Sequence, residues 1–70
     1  MRMRVTVNGE PRELPAGTTV AIVVASLPGV PEGRGVAVAL DGEVVPRGAW
    51  GETELTDGAR LEVLAAVQGG

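Results

Sequence analysis

Few of the groups that do covalent chemistry in proteins occur in this chain. It has no cysteine and no histidine, and its six basic residues are all arginine. That removes the thiolate, imidazole and lysine amine that serve as nucleophiles and bases. The ordinary zinc, haem and iron–sulfur ligand sets are out of reach for the same reason. No two carboxylates fall at a spacing that suggests paired acid–base work. What remains is the main-chain carboxylate at the end of Gln68-Gly69-Gly70. Glycine carries no side chain to clash in a narrow tunnel and reaches backbone conformations closed to other residues. Another enzyme's ATP site is therefore able to admit such an end and activate it as an acyl adenylate. Taken alone, two terminal glycines fit a frayed end better. The body of the chain has to decide between these readings.

Seventy residues, 44% of them hydrophobic, are enough for one domain with one aliphatic core. Trp50 is the only aromatic residue. The net charge of -3 argues against nucleic acid, whose phosphates are bound by clustered Lys and Arg. No apolar run reaches the length of a membrane span or secretory signal, so a cytoplasmic protein is expected.

The elements that would position the tail follow in order. Met3, Val5 and Val7 alternate with Arg2, Arg4 and Thr6, the period of a strand with one wet face. Asn8-Gly9 predicts a type I′ hairpin turn. The return strand is expected to be short, 12–14, hemmed by Pro11 and Pro15 and lying at a sheet edge. Thr18-Thr19 offers an N-cap, and Val20, Val23, Val24 and Leu27 stand at helical spacing. A helix is therefore expected over 19–27, against the β-branched preference of Val20, Ile22, Val23 and Val24.

Residues 28–35 read as a flexible loop. Gly29, Gly33 and Gly35 match no phosphate-binding spacing. Residues 36–40 are apolar on both faces, as in an interior strand, and Asp41-Gly42 turns them into a return strand at 43–45 ended by Pro46. Trp50 is expected to plug one end of the core with its N–H satisfied at the rim. A short strand is expected at 53–55, then a turn at Thr56-Asp57-Gly58, then the longest strand over 60–67. Leu61, Val63, Ala65 and Val67 would face the core. Leu64 and Ala66 would face outward and, with Ala37 and Ala39, form an exposed apolar face leading to the tail, a pattern that marks docking sites.

The order is hairpin, helix, strands and final strand. It predicts an α+β, ubiquitin-like β-grasp: a mixed sheet of four to five strands packed on one helix, first and last strands adjacent and parallel. The domain spans 1–67 and a flexible tail 68–70.

The run Val36-Ala37-Val38-Ala39-Leu40-Asp41-Gly42-Glu43-Val44-Val45-Pro46-Arg47, then Trp50, Leu55, Asp57-Gly58 and Ala66-Val67-Gln68-Gly69-Gly70, resembles the sulfur carriers of thiamin thiazole biosynthesis, the ThiS family. The Val-Pro-Arg-x-x-Trp signature with a terminal Gly-Gly is the specific part. The first half matches more loosely, through Gly9 and Ala16-Gly17-Thr18-Thr19-Val20. The valine-rich helix and the Gly/Pro-laden loop at 28–35 depart from the family pattern, and both lie away from the tail.

The resemblance implies a carrier and not an enzyme, with no bound cofactor. Gly70 would be adenylated by a ubiquitin-activating-like adenylyltransferase that uses ATP. Sulfur from a cysteine desulfurase would displace AMP, and the thiocarboxylate would pass it to thiazole synthase. Gly69 and Gln68 would thread the tail, and Ala37, Ala39, Leu64 and Ala66 would dock the partner. Alternatives in the same class are the small subunit of molybdopterin synthase and a tRNA-thiolation carrier. A non-covalent ubiquitin-like interaction module is the alternative from a different class.

Overall fold

The Asn8-Gly9 pair adopts positive φ at both residues, 52° and 84°, and folds β1 (Arg2–Val7) back on β2 (Glu10–Pro15). This computed structural model describes residues 1–28 and 35–65. Met3, Val5 and Val7 are buried, as the period-two pattern requires. The return strand is longer than 12–14 because both flanking prolines belong to it. Thr6 donates to the Ala59 carbonyl at 3.0 Å, so the even residues of β1 face away from β2. The register pairs Met3 with Leu14, Val5 with Arg12 and Val7 with Glu10. Residues 11, 13 and 15 therefore point their backbone groups to the free edge, where the proline nitrogens cost no ladder bond.

The helix α1 (Val20–Ser26) is capped by Thr19, whose Oγ1 accepts from the Ile22 amide at 3.3 Å. Leu27 closes its other end by donating to the Val24 carbonyl, and Pro28 follows. Seven residues are too few for a helix to stand alone, so packing decides. Val20, Val23 and Val24 are buried against the sheet, which overrides their β-branched preference.

β3 (Val36–Leu40) and β4 (Glu43–Val45) form a second hairpin through Asp41-Gly42, again with positive φ at both residues. Pro46 ends β4 and opens a 3₁₀ turn, Arg47–Glu52. Trp50 is buried there, and its Nε1 donates to the Val45 carbonyl at 3.0 Å. This is the plug with a satisfied N–H that the sequence predicts.

The strand expected at 53–55 does not form. Thr53 accepts from the Val20 amide and Leu55 donates to the Thr18 carbonyl, both at 2.9 Å, leaving one isolated bridge between Thr19 and Glu54. The partner chain turns into α1 at the next residue, so the ladder cannot extend.

β5 (Arg60–Ala65) completes a five-stranded sheet of order β2-β1-β5-β3-β4. It is parallel to β1 and antiparallel to β3, in the middle of the sheet. Its described part is six residues, equal to β1 and β2. Leu61 and Val63 are buried with Val5, Val38 and Trp50 in the core. The tail boundary expected at residue 67 and most of the loop at 28–35 lie outside the described residues. No helix among the described residues is long and apolar enough to cross a membrane.

Candidate functional site

Ala66, Val67, Gln68, Gly69 and Gly70 lie outside the described residues. The structure describes the strand that leads to them, and that strand is held on both sides. On the β1 side, Asn8 donates to the Leu61 carbonyl at 2.9 Å, and the Val63 amide donates to Asn8 Oδ1 at 2.8 Å. On the β3 side, Asp41 and Arg60 exchange two bonds, amide to carbonyl at 2.8 Å and amide to Oδ1 at 2.9 Å. Just before the strand, Gly58 donates to the Arg4 carbonyl and the Arg4 amide donates to Asp57 Oδ1, each at 2.7 Å.

Asn8, Asp41 and Asp57 read in the sequence only as turn formers. Their short polar side chains also take up amides that the ends of the ladders leave without a carbonyl. The signal was present in their residue types, but the amide each one meets is set by strand register.

The outward face of the sheet carries the expected apolar surface. Ala37 lies opposite Leu64 in the register, and Ala39 lies between Glu62 and Val44. Leu64 is 68% exposed and Val44 is 77% exposed. Ala37 is exposed and Ala39 half-buried. Three of the four expected docking residues, Ala37, Ala39 and Leu64, are thus brought together. Val44 joins them, and sequence reasoning missed it because only the β3–β4 register puts it beside Ala39. Toward β1 and β2 the same face turns polar, with Arg4 and Glu13 paired at 3.7 Å.

A second apolar surface lies between β2 and α1, a groove of about 460 Å³ lined by Leu14, Ile22, Val23 and Leu27 among others. Its polar groups are engaged within the fold. Thr18 donates to the Pro15 carbonyl, Ser26 donates to the Val23 carbonyl, and Arg12 reaches Glu10 at 3.4 Å. None of these three side chains is thereby set aside to orient a small ligand.

A chain of this architecture with a Gly-Gly end is matched by the family model described as "ThiS family" over residues 5–70. A thiazole synthase of Paramagnetospirillum magneticum is 37% identical over 68 residues, which cover 97% of this chain and 20% of the relative. The chain therefore spans about a fifth of the length of that relative. A crystal structure of the thiamine biosynthesis protein (ThiS) from Geobacter metallireducens aligns with a TM-score of 0.79 at 34% identity. That alignment covers 97% of this chain and 100% of the other. A solution NMR structure of a thiamine biosynthesis protein from the same organism aligns with a TM-score of 0.75 at 34% identity, covering 97% and 88%. The matched sequence runs from Val5 in β1 through Gly70, and on that ground the chain belongs to the ThiS family, the sulfur carriers of thiamine biosynthesis.

Proposed function

We propose that the Gly70 carboxylate is the site at which this carrier holds sulfur. Its oxygen attacks the α-phosphate of ATP in the site of a ubiquitin-activating-like adenylyltransferase, and pyrophosphate leaves. The outer sulfur of a persulfide made by a cysteine desulfurase then attacks the acyl carbon, and AMP leaves. A thiol cleaves the acyl disulfide so formed, leaving as a disulfide with the donor's own sulfur. The product is a thiocarboxylate, with one carboxylate oxygen replaced by sulfur. Thiazole synthase is the acceptor, acting in the cytoplasm. The observation that carries this reading is the family match, which extends to Gly70. The thiazole synthase relative, whose sequence includes a segment similar to almost the whole chain, supports the choice of acceptor.

The division of labour follows from energetics. Ordering one backbone residue costs about 1–2 kcal/mol, with glycine at the costly end. Threading Gln68, Gly69 and Gly70 into a tunnel thus costs several kcal/mol before any chemistry. The folded body offsets this by docking, and the exposed apolar face of Ala37, Ala39, Val44 and Leu64 is the surface proposed for it, together with Ala66. Intact-mass measurement after incubation with ATP, a sulfide source and the activating enzyme tests the reading. One oxygen-to-sulfur exchange located at Gly70 is the expected result. No exchange with any adenylating partner of this class sinks it.

A further inference from the structure

Among the described residues the sheet has two outer edges, those of β2 and β4, and both are guarded. The outer edge of β2 carries residues 11, 13 and 15, of which Pro11 and Pro15 have no N–H to offer. The outer edge of β4 is three residues long and ends at Pro46. Short edges and prolines of this kind prevent strands of other chains from adding to a sheet.

An inner strand is also left open, at the C-terminal half of β5. In the parallel pairing Thr6 lies beside Arg60 and Val7 beside Leu61, so β5 begins where β1 ends and runs on past it. The odd residues of β5 face that side. Leu61 accepts from the Asn8 amide, and Val63 donates to the Asn8 side chain. The even residues face β3, as the Asp41–Arg60 bonds and the Ala37–Leu64 register show. After Asn8 the chain turns away through Gly9. Among the described residues, β1 then has none left to meet the Val63 carbonyl or the Ala65 amide. Neither residue is a proline, and the strand is not shortened there.

We propose that this unguarded edge of β5, at Val63 and Ala65, is where the adenylating enzyme adds an extended segment of its own chain, pairing backbone to backbone with the carrier. This rests on the carrier reading given above and extends it to the mode of recognition. The position favours that occupant over others. The edge lies five residues before Gly70 and is continuous with Leu64 on the apolar face. A strand laid there fixes the direction in which the tail leaves the sheet. Main-chain pairing supplies affinity without demanding particular side chains on the tail.

Proline at position 65 separates this edge from the rest of the sheet. Ala65→Pro removes an N–H that takes no part in the β3 ladder and fills the open side with the ring, whereas Ala65→Gly keeps the N–H. Binding of each variant to the activating enzyme, measured with the full chain, is expected to weaken about tenfold or more for Ala65→Pro and to change by less than about threefold for Ala65→Gly. Amide exchange of the unmodified chain reads the same contact without a mutation. In the free carrier the Leu64 amide is protected and the Ala65 amide exchanges fast. In the saturated complex the Ala65 amide slows at least about tenfold. Tight binding by folded Ala65→Pro overturns the proposal, and so does an Ala65 amide that stays fast in the complex. Protection of Ala65 that grows with carrier concentration alone also overturns it, by assigning the edge to a second copy. If no complex and no mass exchange form with the unmodified chain, the carrier reading itself fails. Normal exchange at Gly70 with an exposed Ala65 amide refutes only the edge.

Discussion

Asn8 Oδ1 accepts a hydrogen bond from the Val63 amide at 2.8 Å, joining the first turn to the last strand across 55 positions of sequence. Asn8 thus makes the hairpin at positive φ and also stands in for the next residue of a ladder that β1 has stopped supplying. A turn residue therefore positions β5, the strand that precedes the Gly-Gly end.

Variants at Asn8 separate these two tasks. Asn8→Asp keeps an acceptor and tolerance of positive φ, and is expected to cost least. Asn8→Gly keeps the turn but leaves the Val63 amide without its acceptor, a loss of about 1–2 kcal/mol. Asn8→Ala adds the left-handed strain of a residue with a Cβ, for a total of about 2–4 kcal/mol. Urea unfolding followed by Trp50 fluorescence ranks the three, and equal costs for Gly and Asp would show that the Asn8–Val63 bond contributes nothing.

Trp50 ties the 3₁₀ turn to β4. Trp50→Ala is expected to cost about 3–5 kcal/mol through the cavity it leaves. Trp50→Phe keeps much of the volume but strips the donor from the Val45 carbonyl, for about 1–2 kcal/mol. The Arg47 guanidinium lies 5.7 Å from the ring centre, and Arg47→Ala is expected to lose about 0.5–1 kcal/mol from that cation–π contact. Thermal melts by circular dichroism measure all three, and a Phe variant as stable as the parent would remove any role for the indole N–H.

The proposed docking face predicts a loss of partner affinity without a loss of fold. Leu64→Arg and Val44→Arg alter exposed positions, so stability should stay within about 0.5 kcal/mol of the parent. Each is expected to lower the kcat/KM of activation about tenfold or more, as central contacts of an interface do. Ile22→Arg, on the groove between β2 and α1, is the control expected to leave activation unchanged. Activation that responds to Ile22 and ignores Leu64 would move the dock to the other side of the sheet.

Removing Gly70 tests the chemical site without touching the body. The shortened chain is expected to melt with the parent and to form no thiocarboxylate under conditions that convert the parent fully. Sulfur incorporation into the shortened chain, detected by mass, would place the acyl site elsewhere.

Local pattern carried much of this molecule. Alternation at Met3, Val5 and Val7, the Asn8-Gly9 and Asp41-Gly42 pairs, and the Thr19 cap each act within a few residues of themselves. The resemblance to sulfur carriers rested on the Val45-Pro46-Arg47-x-x-Trp50 run and the terminal glycines, and the family match agrees with it. Register between distant strands is a different kind of information. It turned the nitrogens of Pro11 and Pro15 outward and lengthened β2. It set the 53–55 segment against the start of α1 and not in the sheet. It also brought Val44 beside Ala39, gave the Val63 amide to Asn8, and carried β5 past the end of β1. These pairings join residues far apart in sequence, where hydrophobic period is the same for many registers and only packing around one core selects among them. The chemistry proposed for the tail was read from its residue types and from the resemblance they carry, while the edge and face proposed to present it were decided by tertiary structure.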